Sequence, residues 1–199
     1  VQFDYGVSVE GFELERGEIK GVRTNRSGPA RADAYVLALG SYSPLFARPL
    51  GIDLPIYPLK GYSVTMPVKD PSRAWTASLS DEAHKLVLSR LGDRLRIAGT
   101  AELNGYDTSI NRIRCEAIVK RVEELFPGAG DPAGASYWAG LRPATPDNLP
   151  CLGRTKFPNL FLNTGHGTLG WTHACGSGKL LADLVGGRRP DIDLAAPAA

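Results

Sequence analysis

The sequence predicts an α+β fold: an antiparallel sheet with one amphipathic helix packed on it. Two observations carry the prediction. Residues 85–90 and 94–98 are β-rich runs separated by Leu91-Gly92-Asp93, with Leu95 and Ile97 on one face and Arg94 and Arg96 on the other, which is a hairpin with one covered face. Over residues 110–126, the apolar Ile110, Ile113, Ala117, Ile118, Val122 and Leu125 recur at helical spacing, opposite Arg112, Arg114, Glu116, Lys120, Glu123 and Glu124. Asp107, Thr108 or Ser109 can cap that helix, and Pro127-Gly128 stops it.

The other elements follow in chain order. The opening Val1-Gln2-Phe3-Asp4-Tyr5 has no initiator Met and reads as the middle of a strand, so a fragment of a longer protein is expected. A turn falls within 13–17, an alternating strand over 19–24, and the apolar run 34–39, closed by Gly40, predicts a strand buried on both faces. Pro44, Pro49, Pro55 and Pro58 exclude a long helix and lead into a strand at 62–66, ended by Pro67. Past the helix, a strand at 136–141 ends at Arg142-Pro143, and a proline-rich loop follows. A strand at 159–163 and a helix at 172–185 come next, the helix closed by Gly186-Gly187, and the Pro/Ala/Asp-rich tail 188–199 is expected to fray.

Composition narrows the function classes. Of 199 residues, 43% are hydrophobic and 22% charged, which excludes disordered and fibrous chains. Lys+Arg number 23 against 21 Asp+Glu, and no basic stripe appears, so no nucleic-acid partner is expected. No apolar run approaches the ~20 residues of a membrane-spanning helix. Cys115, Cys151 and Cys175 are odd in number and widely spaced, which points to a reducing, cytoplasmic compartment rather than a disulfide framework. With only His84, His166 and His173 beside them, no metal-ligand spacing emerges.

Gly165-His166-Gly167-Thr168-Leu169-Gly170 has the G-x-G-x-x-G form, follows a strand and opens a helix. As a dinucleotide fingerprint it requires a further strand bearing an acid roughly 20 residues on. Here Gly186-Gly187-Arg188-Arg189-Pro190-Asp191 follows, with no strand, and the Rossmann reading fails. Two readings remain: a ligand approaching the glycine backbone at the positive end of a helix, or a close helix–strand contact. Arg142, at the end of an apolar strand, suits a bidentate fork to a carboxylate, or equally an ion pair with Asp147 or another acid of its loop. His166 and His173 titrate near neutrality and invite a general-base role, the alternative being that His166 packs or hydrogen-bonds. Tyr57 and Tyr62 can contact a substrate or pack within strands, and Lys60 reads as a solvated side chain. Cys115 lies on the amphipathic helix, and Cys151 and Cys175 read as small buried hydrophobes.

The segments Tyr35-Val36-Leu37-Ala38-Leu39-Gly40-Ser41-Tyr42-Ser43, Pro58-Leu59-Lys60-Gly61-Tyr62-Ser63, Trp138-Ala139-Gly140-Leu141-Arg142-Pro143-Ala144-Thr145-Pro146-Asp147 and Asn163-Thr164-Gly165-His166-Gly167-Thr168-Leu169-Gly170-Trp171-Thr172 occur in this order. Together they resemble the FAD-dependent D-amino-acid oxidase and glycine oxidase superfamily. Within it, residues 165–171 are most similar to the D-amino acid dehydrogenases. The resemblance implies a substrate-binding domain at 45–140 and incomplete pieces of a Rossmann-like FAD domain at 1–44 and 141–187, with 188–199 as a flexible tail. It implies that Arg142 holds the substrate carboxylate, with Tyr62 and His166 as further catalytic candidates. Gly165, His166, Gly167, Thr168, Leu169 and Gly170 would face the pyrimidine end of a non-covalently held flavin, and Gly40, Ser41 and Gly140 would also contact FAD.

The implied reaction transfers hydride from the substrate Cα to flavin N5. Water then hydrolyses the imino acid to a 2-oxo acid and ammonia. Electrons would pass to a quinone-linked acceptor at the membrane, with the protein peripheral on the inner face of a bacterial inner membrane. The family's own N-terminal nucleotide fingerprint is not in this sequence. A glycine- or sarcosine-type oxidase and a non-catalytic fragment therefore remain as alternatives. Missing sheet neighbours would also leave edges open to self-association.

Overall fold

The computed structural model describes residues 1–192, and its chain divides between Tyr57 and Pro58 and again between Arg142 and Pro143. The elements are β1 (Val9–Glu15), β2 (Glu18–Thr24), β3 (Tyr35–Leu37), α1 (Ser43–Ala47), β4 (Tyr57–Pro67), β5 (Leu79–Asp81), β6 (Leu86–Leu91), β7 (Arg94–Leu103), α2 (Arg112–Leu125), β8 (Ser136–Ala144), β9 (Cys151–Arg154), β10 (Leu160–Thr164) and α3 (Gly170–Val185).

The unit from Pro58 to Arg142 is one five-stranded sheet, ordered β5-β6-β7-β4-β8. Strand alternation sends Tyr62, Val64 and Met66 of β4, Leu86 and Leu88 of β6, and Leu95 and Ile97 of β7 into one core with Cys115, Ile118 and Val122 of α2. Each such aliphatic side chain contributes about 1.5–3 kcal/mol by leaving water. The antiparallel sheet with a helix on it is as the sequence predicts.

Two details of α2 differ. Its inward stripe is Cys115-Ile118-Val122, whereas Ile113 is 79% exposed. Ile113 lies five residues from Ile118, which is about 140° round a helix of 3.6 residues per turn. The N-cap is Asn111 rather than Asp107, Thr108 or Ser109. Asp107 is engaged instead by Ser109 N at 2.9 Å, and by Ser109 Oγ and Asn104 Nδ2 at 2.7 Å.

The other unit combines residues 1–57 with those from 143 onward. Residues 1–8 form no strand, contrary to the reading of Val1-Gln2-Phe3-Asp4-Tyr5 as mid-strand. The antiparallel β1-β2 hairpin turns at Arg16-Gly17, where φ is 51° and 80°, the doubly positive pair that matches strand twist. The Asn159 side chain splices this hairpin to the next sheet: Nδ2 donates to Ile19 O at 2.8 Å, and Oδ1 accepts from Ile19 N at 3.1 Å.

That sheet has the order β3-β10-β9, with β10 parallel to β3 and antiparallel to β9. β9 falls inside what the sequence reads as a proline-rich loop. β3 is an edge strand of three residues with Val36 43% exposed, so the run 34–39 is not buried on both faces. Ile19, Tyr35, Leu37, Leu50, Ile52, Leu54, Leu160 and Leu162 form the core of this unit. Leu180, Leu181 and Leu184 of α3 pack on Phe161, whereas Cys175 of the same helix is exposed and Cys151 only partly buried, not the buried hydrophobes expected. Residues 188–192 form no helix or strand, and the rest of the expected tail, 193–199, lies outside the described residues. Among the described residues no helix is long and apolar enough to cross a membrane.

Candidate functional site

In the sheet unit, Arg142 of β8 lies against β4 at Gly61. A Cβ on Gly61 would sit 2.5 Å from Arg142 Cζ and 2.6 and 2.7 Å from its two terminal nitrogens. The glycine is therefore what lets the guanidinium rest on the strand. Arg142 Nη1 donates to Thr100 O at 3.3 Å, and among the described residues no carboxylate pairs with it. Asp147, the acid the sequence offered as a partner, instead accepts from Leu149 N at 3.0 Å. Burial pulls the Arg142 guanidinium below its ordinary pKa, yet arginine stays charged in proteins. A partly buried cation without a counterion is costly, and an incoming anion relieves that cost.

The β7 partner of this position is irregular. Lys60 pairs with Glu102 and Tyr62 with Gly99, so one residue of β4 faces two of β7, Thr100 and Ala101. This β-bulge holds Thr100 at φ 57°, a left-handed conformation that costs a β-branched residue about 1–3 kcal/mol. The Oγ1 of Thr100 is buried and makes no hydrogen bond, and the same is true of Ser63 Oγ. Ser63 follows Gly61 by two residues and so shares its face, the one turned away from Tyr62, Val64 and the α2 core. The Arg142 guanidinium, without a carboxylate, therefore rests on the strand face that Ser63 shares and bonds the Thr100 carbonyl, and both of these residues carry hydroxyls without partners, where buried polar groups are ordinarily satisfied.

Lys60 and Tyr62 belong to a separate network. Lys60 and Tyr62 are each 1% exposed, so Lys60 is not the solvated side chain expected. Its Nζ lies 3.5 Å from Glu102 Oε2 and 3.4 Å from Asp107 Oδ2, and 5.4 Å from the Tyr62 ring centroid. Burial opposes its charge, but hydrogen bonding to Tyr62 and Asp107 outweighs it and raises the ammonium pKa. The Tyr62 hydroxyl donates to Glu102, and that bond lowers the Glu102 pKa. Arg114 Nε approaches the other Glu102 oxygen at 3.7 Å. The hydroxyl of Tyr62 is thus committed, and its ring lies in the core; the structure does not bring it together with Arg142. Gly140 has a local packing reason as well: a Cβ there would fall 2.1 Å from the Trp138 indole.

In the other unit, residues 165–169 link β10 to α3 and divide into two kinds of glycine. Gly165, at φ 79°, is hemmed in: a Cβ would meet Thr145 Cγ2 at 3.1 Å and both Cys151 N and Ile56 Cδ1 at 3.3 Å. The close-packing reading applies to it. Gly167, at φ 55°, has no atom within 4 Å of that position, and its N–H donates to Pro143 O at 3.0 Å. Thr168 and Leu169 are exposed. No side chain caps the N-terminus of α3 that begins at Gly170, so its first N–H groups and positive dipole end are available to an electron-rich group.

His166 Nε2 and Ser177 Oγ are 3.0 Å apart, which ties the ring to α3. Burial, then the neighbouring His173, lowers its pKa and so favours the uncharged ring. Thr164 Oγ1 donates to Gly40 O at 3.1 Å and lies 2.8 Å from Ser43 Oγ, which anchors the buried Ser41 turn to the end of β10. Asn163 Oδ1 is buried without a hydrogen bond. An orphaned acceptor, an open glycine and an uncapped helix end fit a planar heterocycle that carries both N–H and C=O groups. No cluster of residues able to hold a metal occurs among the described residues.

A family model described as FAD dependent oxidoreductase matches residues 1–184. The chain belongs to that family, DAO. It is 54% identical over 195 residues to the D-amino acid dehydrogenase of Xanthobacter autotrophicus, a match that covers 98% of this chain and 46% of the relative. It is 55% identical to that of Dechloromonas aromatica, covering 96% and 47%. Among solved structures, glycine oxidase from Geobacillus kaustophilus is 25% identical with a TM-score of 0.82, covering 95% of this chain and 50% of that one. Iminodiacetate oxidase from Chelativorans sp., 23% identical, shares the fold with a TM-score of 0.80, covering 97% and 52%. The chain spans about half the length of the curated relatives it matches.

Proposed function

We propose that this chain is the part of an FAD-dependent D-amino acid dehydrogenase that binds the substrate carboxylate and faces the flavin ring. The observation that carries the reading is Arg142, a partly buried guanidinium with no carboxylate partner. It is suited to the charge common to all amino acids, and a bidentate fork orients as well as binds. On this reading the Pro58–Arg142 unit receives the substrate, and residues 1–57 and 143–187 contribute to the FAD domain.

Gly167, Thr168, Leu169, Gly170, the Asn163 amide and the α3 N-terminus would hold the ring non-covalently, with Gly40 and Ser41 further along the cofactor. When bound, FAD supplies the two-electron acceptor for oxidation of the amino acid at Cα. The helix end stabilises negative charge on the bound ring. His166 is tied to Ser177 of α3 through its Nε2, and on this reading it orients the loop. A quinone-linked acceptor, reached peripherally at the inner face of a bacterial inner membrane, completes the reading.

The test is Arg142→Ala in the FAD-loaded protein. Loss of a hydrogen bond to a charged group costs about 1.5–3 kcal/mol, so KM for D-alanine is expected to rise roughly ten- to a hundredfold. An unchanged KM removes Arg142 from the site. Stoichiometric peroxide release, with glycine preferred over D-alanine, would favour the glycine oxidase-type reading that the structural likeness also allows.

A further inference from the structure

Arg142 by itself offers only one side of a carboxylate-binding position, and part of its donor capacity is already directed to the Thr100 carbonyl. What distinguishes Thr100 is a combination of three observations. It stands in the bulge where β7 pairs with β4. It is β-branched, yet adopts φ 57°, where glycine or asparagine would be less strained. Its hydroxyl is buried with no hydrogen-bond partner, although the same residue's carbonyl touches the unpaired guanidinium. Strain and an unsatisfied donor persist in a native fold when something else uses them, and bulges characteristically re-aim a side chain. A purely structural role would favour glycine here, which relieves the strain and removes the orphan.

Resting on the reading of Arg142 as the carboxylate anchor, we infer that Thr100 is a second ligand of that carboxylate. Its Oγ1–H donates to one carboxylate oxygen while the Arg142 guanidinium holds the anion. The hydroxyl is neutral and short, so it adds direction rather than charge. It restricts rotation of the bound carboxylate and thereby of the Cα attached to it. The Thr100 carbonyl fixes the guanidinium, and the Thr100 hydroxyl and that guanidinium then act on the same anion.

The experiment uses FAD-loaded protein with benzoate as a rigid carboxylate lacking an amine, titrated through the flavin absorbance change, alongside D-alanine kinetics and thermal melting. Thr100→Val keeps the shape and removes the donor: benzoate Kd and D-alanine KM are expected to rise tenfold or more. Thr100→Ser restores native affinity. Thr100→Gly removes the hydroxyl and the strain together, so affinity falls at least tenfold while Tm holds or rises, a divergence that a structural role would not produce.

Native benzoate affinity in both Thr100→Val and Thr100→Gly overturns the inference, and should the valine variant not fold, the glycine variant decides alone. Arg142→Ala separates the two levels. If it leaves benzoate Kd unchanged, the anchor reading itself fails. If it weakens Kd while Thr100→Gly does not, only the inference about Thr100 fails.

Discussion

The guanidinium of Arg142 lies on the backbone of Gly61, so close that a Cβ on Gly61 would fall 2.5 Å from Arg142 Cζ. A glycine in a strand interior marks a close approach of this kind. Gly61→Ala is therefore expected to dislodge the guanidinium while the flexible arginine side chain absorbs most of the clash. KM for D-alanine should rise at least tenfold, with a stability loss of about 1–3 kcal/mol. Steady-state kinetics and urea unfolding check both, and native KM in a folded variant would dissociate Gly61 from the site.

Tyr62 behaves differently because its hydroxyl is committed to Glu102 within the Lys60 network. Tyr62→Phe should cost about 1.5–3 kcal/mol of stability, the range for a hydrogen bond to an ionised group, and leave KM within twofold. Chemical denaturation beside kinetics decides this. A raised KM with unchanged stability would return Tyr62 to the substrate.

Asp81 is held at a pKa of about 2, chiefly by its hydrogen bond from Arg121, with His84 adding to the effect. Its folded pKa is depressed, so its contribution is fully present above the unfolded carboxylate pKa near 3.9. The contribution is lost as pH falls from there toward 2. Asp81→Asn should lower Tm at neutral pH and flatten the decline of Tm between about pH 4 and 2. An acid limb parallel to that of the native protein would sink the assignment.

The inward stripe of α2 predicts a contrast between two isoleucines. Ile118→Ala should cost about 2–5 kcal/mol through the cavity it leaves. Ile113→Ala, at a largely exposed position, should stay within about 0.5 kcal/mol. Similar losses at both positions would mean that the helix is rotated from the orientation described.

The two loop glycines should separate folding from cofactor content. Gly165→Ala meets three neighbours within 3.3 Å and has positive φ, so it should reduce the yield of folded protein. Gly167→Ala meets open space, and its left-handed φ alone costs about 1–2 kcal/mol. It should fold with FAD occupancy at least tenfold reduced, read from flavin absorbance per protein. Full occupancy would move the ring contact elsewhere.

Local periodicity made much of the fold legible. The alternation around Leu95 and Ile97, the 3.6-residue recurrence of Ile118 and Val122, and the Pro and Gly stops are each written within a few neighbouring residues. The motifs 138–147 and 163–172 likewise mark Arg142 and the glycine loop as candidates from sequence order alone.

What the tertiary structure alone decided is non-local. Lys60 is buried and its ammonium is met by Asp107, 47 residues away, and no spacing within the strand signals that. Thr100 carries no motif, and its left-handed bulge exists only in the pairing of β7 with β4. The edge position of β3 and the side of α2 that faces inward depend on which partners fold against them. The sequence by itself therefore determined most of the elements and their order, the family, and the arginine proposed as the anchor, because those rest on short-range sterics and on motif residues. Which charges are paired, which hydroxyls are left without partners, and which glycine is open to a ligand were decided only when distant strands came into register.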